Sequence, residues 1–487
     1  MGITIVGLGP GNGRLLTREA WDILSAVDVV YLRTRRHPAV NDLPAGLKQQ
    51  SFDHLYESAD RFTDVYTQIT HELVRIAKVR DVVYAVPGHP NIGESTVSLL
   101  VDNAKKMNLP VRIVSGLSFV EPVLTAVGVD ALDGLQIYDA IAIAGYLYPP
   151  CNANAPLILG QVYNRFVASE VKLTLSSIYP EQHTVILIHS AGEHDEVLES
   201  LPLYAIDRSE RIDHLTSLYV PPISAISTLP SLADTVAVLR GPEGCPWDME
   251  QTPRSMRDDL MEEAFEVLDA LDAGDENNLR EELGDLLYHL VMQAQMASEA
   301  GEFTLTDVIA GIDAKLKRRH PHVWGDLDIT DSAEVVRNWE LIKQREKAKK
   351  RSSVLDGIPF SLPALARSQR IQNRVGKVGF DWPEMSGIYS KINEEISELK
   401  EAKSLADQQA ELGDLFFVLV NLARWLTVDA ESALREANLR FSQRFRLVEQ
   451  LAASRQIDLE RRNIADLEEL WQEAKEMLAK VDTDAKV

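Results

Sequence analysis

Glu262-Glu263-Ala264-Phe265-Glu266, followed by Glu281-Glu282-Leu283-Gly284-Asp285, recurs as Glu394-Glu395-Ile396-Ser397-Glu398 followed by Glu411-Leu412-Gly413-Asp414. The second copy starts 132 residues after the first. Such self-similarity marks duplication of one supersecondary unit. Around both copies apolar residues return with a helical period, in segments rich in Glu, Leu, Ala, Lys and Arg. This carboxyl half is predicted to be all-helical. Glu263 and Glu266 are i, i+3 on one predicted helix and Glu282 and Asp285 are i, i+3 on the next, so each pair projects from one face. If those helices pack antiparallel, four carboxylates meet beside Leu260, Phe265, Leu283 and Leu287. Like charges there repel unless a cation lies between them. The donors are hard oxygens, which select magnesium or manganese over zinc. Glu395, Glu398, Glu411 and Asp414 repeat the argument. An isolated Glu-x-x-Glu on an amphipathic helix is ordinarily solvated charge. Here the doubled pair, the Gly between its last two acids and the recurrence carry the metal reading.

Basic residues follow each acidic unit. Lys315 and Arg319 are i, i+4, as are Trp339 and Lys343; the second copy has Arg440 and Arg444, then Trp471 and Lys475. Acids for metal, cations for phosphate oxygens and a Trp able to stack on a base or ribose make a nucleotide site. Either basic motif alone would read as a solvated helix face with a core Trp. His320 and His322 flank Pro321 and read as support for a turn.

Working toward the amino end, Val220-Pro-Pro-Ile-Ser-Ala-Ile-Ser-Thr-Leu-Pro230 reads as a linker. Before it, short β-branched runs alternate with helical stretches: Ile3 to Val6, Val29 to Leu32, Val82 to Val86, Val111 to Val114 and Val185 to Ile188. That alternation predicts an α/β domain on a mostly parallel sheet. The expected divisions are an α/β domain over 1–222, a linker over 223–238, a first helical module over 239–352 and a second over 353–487. Pro359, Pro363, Gly376 and Gly379 mark the join between the modules. The first strand runs into Val6-Gly-Leu-Gly-Pro-Gly-Asn12, which departs from the dinucleotide fingerprint at Pro10 and Asn12. Val86-Pro-Gly-His-Pro90 and Val114-Ser-Gly-Leu-Ser118 carry similar turns at strand ends, and three such loops suggest one shared cleft.

The chain has 487 residues, enough for about three domains at roughly 150 residues each. A net charge of −24 disfavours a nucleic-acid or anionic-membrane partner, which would be gripped through basic surface. Two cysteines far apart, Cys151 and Cys245, fit a reducing compartment and offer no zinc spacing, so a cytoplasmic location is expected. No apolar run is long enough to span a bilayer.

From about Leu239 onward the chain resembles the MazG family of nucleoside triphosphate pyrophosphohydrolases. The resemblance rests on Cys245-Pro-Trp-Asp248, Gln251-Thr252, the acidic units, Arg319-His-Pro-His-Val323 and Gly379-Phe-Asp-Trp382. It implies hydrolysis of a nucleoside triphosphate to monophosphate and pyrophosphate, with the acids holding magnesium and the Lys, Arg and Trp positions binding phosphate and nucleoside. Cys245 then resembles a packing residue of the family. Arg440 stands where Lys is expected, and on that ground the first module, with Lys315, is expected to be the stronger site. Ile3 to Val220 resembles the tetrapyrrole methylase family. That resemblance implies an S-adenosylmethionine site lined by Gly9, His89, Ile92 and Ser118, although His89 stands where many active members carry Asp. The arrangement resembles YabN-type fusions of the two. Two alternatives stay open: a methyltransferase acting on a tetrapyrrole or other small molecule with a structural helical half, and a non-catalytic nucleotide sensor. A homo-oligomer is also left open.

Overall fold

The computed structural model describes every residue except 59–60, 226, 330, 348–352, 460–463 and 485–487. The described chain packs as two compact units, Met1–Gln251 and Thr252–Val487.

The first unit holds two five-stranded sheets. The first sheet has the order β3-β2-β4-β1-β5, from β1 (Ile3–Gly7), β2 (Val29–Leu32), β3 (Lys48–Ser51), β4 (Val82–Val86) and β5 (Val111–Val114). All four of its pairings are parallel, with Ile3 opposite Val82 and Val111. Alternate residues feed opposite faces. Ile5, Tyr84 and Val86 pack with Ile69, Leu73 and Leu100 from the helices Phe62–Ala77 and Ser95–Lys106. Val6, Val83 and Ala85 pack with Ala20 and Leu24 from the helix Arg18–Ser25. Because both faces are covered, β4 is apolar and buried at every position. Each large side chain so buried contributes about 1.5–3 kcal/mol.

The second sheet has the order β6-β7-β10-β8-β9, from β6 (Gln136–Asp139), β7 (Leu157–Gly160), β8 (Thr184–His189), β9 (Val197–Pro202) and β10 (Thr216–Val220). Only β6 and β7 run parallel; β10 is antiparallel to β7 and β8, and β8 to β9. The parallel expectation therefore describes the first sheet, while the second is mixed. Its hairpin-like β8–β9 pairing has no crossover helix to enforce parallel order. The expected linker is also more ordered than its prolines suggest. Leu229–Leu239 is a helix, with the Thr228 side chain capping Ser231 and Pro230 in the first turn, where its missing N–H costs nothing.

The second unit is helical. Its first half contains α1 (Arg257–Ala273), α2 (Glu276–Glu299), α3 (Leu305–Arg319) and α4 (Ser332–Lys347). Its second half contains α5 (Ala364–Gly376), α6 (Met385–Glu401), α7 (Leu405–Trp425), α8 (Ala430–Ser454) and α9 (Ile464–Asp484). The expected division after residue 352 falls on residues outside the described ones. The Gly376 and Gly379 stretch lies between α5 and α6, while Pro363 caps α5. Between α1 and α2 stand only Gly274, left-handed at φ +66, and Asp275, whose carboxylate caps Asn277 and Asn278. Such a short connection folds the two helices back on each other as an αα-hairpin. Ser404 capping Asp407 does the same between α6 and α7.

Candidate active site

Each hairpin brings its acids together. In the first, Glu263 and Glu266 on α1 and Glu282 on α2 can each offer one oxygen, all within 4.8 Å of one another. Asp285 is exposed and falls outside that group, yet its charge acts on Glu263. Burial, then the charges of Asp285, Glu266 and Glu282, push the Glu263 carboxyl above its usual range. Glu282 is raised by burial and then by Glu266 and Asp285. In the second hairpin the group is Glu395 on α6 with Glu411 and Asp414 on α7. Here Glu398 is the exposed outsider; burial first, and then its charge and those of Glu395 and Asp414, raise Glu411. Glu395 is 3% exposed, and its Oε2 has no hydrogen-bond partner among the described residues. A buried carboxylate oxygen left without a donor is costly unless a cation meets it.

The two groups differ in their neighbours. Lys391, one turn before Glu395, places Nζ 2.8 Å from Oε1 of both Glu394 and Glu395. The matching position in the first copy is Asp259. There the nearby nitrogen base is His289, buried on α2 with Nε2 3.8 Å from Glu263 Oε1. Neither Lys391 nor His289 was singled out from sequence. For Lys391 the signal was present as an i, i+4 cation on the acidic face.

The expected phosphate-binding cations sit on later helices. Arg319 on α3 lies 5.7 Å, and Lys343 on α4 4.7 Å, from the centre of the Trp339 ring. Arg319 is also paired with Glu346 at 2.6 Å. Lys315 lies one turn earlier on α3 and is half-buried. In the second copy Arg444 lies 5.8 Å from the Trp471 ring centre, and Phe441 packs on the same ring at 5.0 Å. Arg440 is exposed and reaches Glu436 at 3.4 Å, and Lys475 is exposed on α9. His320 Nδ1 donates locally to Leu316 O, 2.8 Å away, in the turn before Pro321.

In the first unit, three glycines stack at the carboxyl ends of β1, β4 and β5. A Cβ on Gly7 would lie 2.6 Å from Gly88 O and 2.7 Å from Gly116 N. Gly9 and Gly88 exchange backbone hydrogen bonds at 3.3 and 2.7 Å, which sets His89 beside the opening loop. His89 Nδ1 accepts from Asn91 N, and Ile92 is partly exposed. Ser118 is buried, with both its N–H and its hydroxyl donated to Glu121. Sequence reading missed Glu193, whose carboxylate accepts from Asn12 N at 2.5 Å and Asn12 Nδ2 at 2.9 Å and so pins the glycine loop. It also missed His37, which burial pushes down to about 4.

Residues 2–207 match the model for tetrapyrrole (corrin/porphyrin) methylases, residues 251–324 that for the MazG nucleotide pyrophosphohydrolase domain, and residues 369–441 that for phosphoribosyl-ATP pyrophosphohydrolase. The uncharacterized protein YabN of Bacillus subtilis (strain 168) is 39% identical over 97% of this chain and 98% of its own length. The nucleoside triphosphate pyrophosphohydrolase/pyrophosphatase MazG of Thermotoga maritima is 45% identical over 50% of this chain and 94% of its own. The nucleoside triphosphate pyrophosphohydrolase of Escherichia coli (strain K12) is 48% identical over 49% and 93%. With its methylase-type domain ahead of a MazG domain and near end-to-end likeness to YabN, the chain belongs to the YabN family.

Proposed function

We propose that the helical unit hydrolyses nucleoside triphosphates to monophosphate and pyrophosphate. The observation that carries this reading is the buried, donorless Glu395 Oε2 inside an all-oxygen acid group that recurs in the first hairpin. Glu263, Glu266, Glu282 and Asp285 in one copy, and Glu395, Glu398, Glu411 and Asp414 in the other, would hold magnesium or manganese. The ion, when bound, supplies positive charge that offsets the acids, polarises phosphate oxygens and favours ionisation of water. In the reaction the water oxygen bonds to the α-phosphorus and the bond from that phosphorus to the bridging oxygen breaks. Pyrophosphate leaves with the bonding electrons, and the water proton passes to a carboxylate of the group. Lys315, Arg319 and Lys343, or Arg440, Arg444 and Lys475, bind phosphate oxygens, and Trp339 or Trp471 packs against the nucleoside.

The comparison of Lys315 with Arg440 favours the first copy; the ion pairs favour the second. Lys391 adds a cation at the acids, and Arg444 has no carboxylate partner among the described residues. We therefore assign the stronger site to the second copy. Chromatography of products with and without magnesium tests the reading. Diphosphate with inorganic phosphate, or full activity in chelator, would defeat it.

The convergence of Gly9, Gly88 and Gly116 supports an S-adenosylmethionine cleft in the first unit. Calorimetry of the full chain with that ligand should show binding, and no heat at millimolar ligand would leave the unit a scaffold. Phe265, Leu283 and Leu287 on the first hairpin are between 40% and 49% exposed, as expected if copies associate into a homo-oligomer in a cytoplasmic setting.

A further inference from the structure

Resting on the reading just given, we propose that the first module is self-capped: Glu346 sits where a substrate phosphate would sit, so the module takes metal but admits triphosphate only when Glu346 is displaced. The Glu346 carboxylate is held by two arginines of α3. Arg319 reaches Oε2 with Nη2 at 2.6 Å and Nε at 3.2 Å, and Arg318 reaches Oε1 with Nε at 2.7 Å. A forked guanidinium receives a carboxylate and a phosphate in the same geometry, so one excludes the other. Arg319 is largely buried, at 15% side-chain exposure, and also lies over Trp339, so the cap engages the cation that stands beside the aromatic ring. The two hydrogen-bonded guanidiniums hold the Glu346 carboxyl down at about 2, which keeps the cap anionic at neutral pH.

The second copy lacks this device. Trp339 and Lys343 correspond to Trp471 and Lys475, each 132 residues later, and the same step takes Glu346 to Leu478. Arg444 keeps its place over Trp471 and has no carboxylate partner among the described residues. Arg318, the second arginine on Glu346, falls on Gln443 in the register that sets Arg319 against Arg444, so one Glu-to-Leu and one Arg-to-Gln difference separate a phosphate position that is filled from one that is open.

The test uses the full chain carrying Glu395→Gln and Glu398→Gln, so that the first copy alone can respond to magnesium and a non-hydrolysable α,β-methylene triphosphate. Adding Glu346→Gln should tighten triphosphate binding at least tenfold in calorimetry, with manganese affinity unchanged by paramagnetic resonance. A purely structural role for the ion pair predicts instead a lower melting temperature and no gain in binding; binding that is unchanged or weaker, with manganese affinity retained, overturns the cap. Should Glu346→Gln lose helix content, Leu478→Glu in the otherwise intact chain decides. It should raise KM for triphosphate about tenfold with metal affinity unchanged, and an unaltered KM overturns the proposal. A parent chain with no metal-dependent turnover would remove the underlying reading, and the cap with it, before any substitution is made.

Discussion

The two helical modules keep the same acids and differ in what surrounds them. In the first, Glu263 faces a buried histidine at 3.8 Å, Asp259 adds a further negative charge to the acidic helix, and Arg319 is spent on Glu346. In the second, Glu395 has a lysine at 2.8 Å and Arg444 pairs with no described carboxylate. The acid pattern is therefore common to both copies while the counter-charges differ, and on the proposed reading the counter-charges decide whether a polyanion can approach. The sharpest way to break this comparison is to remove the acids one copy at a time. Glu395→Gln with Glu398→Gln should lower turnover by about a hundredfold or more, the loss expected when a metal-organising pair goes. Glu263→Gln with Glu266→Gln should leave turnover within a few-fold of the parent chain. Steady-state pyrophosphate release decides between them, and the opposite pattern would restore the first copy as the catalytic one.

Lys391 sharpens the comparison further. Replacing it with Gln removes the cation from Glu394 and Glu395 and should reduce kcat/KM by about tenfold, a loss of about 1.4 kcal/mol. Asp259→Asn, at the matching position of the first copy, should change kcat/KM little. Equal losses for both variants would mean that the two copies act as one site.

The clustered acids also set a pH dependence that a bound metal should reverse. Burial first, and neighbouring acids next, raise Glu263, Glu282 and Glu411 in the folded chain. A carboxyl raised on folding lends stability below its unfolded value, here near 4.5, and that stability is lost as pH climbs through the folded value. In chelator the helical unit should accordingly melt at lower temperature near neutrality than just above pH 5. Glu346, held at about 2, has the opposite sign, but its loss falls in a more acidic window. Saturating magnesium at neutral pH should restore about 1.4 kcal/mol at ten times Kd. Melting curves insensitive to both chelator and pH would argue that the acids hold nothing.

Much of this was legible in the sequence, and the exceptions have physical reasons. The strands Val29–Leu32 and Val82–Val86 are continuous, largely apolar runs because parallel strands are buried on both faces. Lys48–Ser51 was invisible because an edge strand with alternate exposure needs no apolar pattern. The acid groups were legible because the repeat doubled the signal. Their split, with Asp285 outside one group and Glu398 outside the other, depends on how each hairpin is rotated, which spacing does not encode. Glu346 and Glu193 were missed for a common reason: each acts on a partner far away in sequence, 27 residues in one case and 181 in the other. A lone glutamate on a polar helix or loop carries no local pattern to betray it.

The smallest expected effect concerns the glycine that recurs between the last two acids. Gly284 lies inside α2 and Gly413 inside α7, where glycine costs about 1 kcal/mol relative to Ala. Nothing in the described chain requires that cost, since a Cβ at either position would meet no heavy atom within 4 Å. Gly284→Ala and Gly413→Ala should each stabilise the metal-free helical unit by about 0.5–1 kcal/mol in denaturant titration. The comparison enters when metal and triphosphate are added. If the second copy is open and the first capped, the extra methyl at 413 should raise KM, because the ligand needs the space beside Glu411 and Asp414, whereas the methyl at 284 should leave KM alone. Equal behaviour of the two alanine variants would mean that the glycines serve something common to both copies, such as close approach of a second chain.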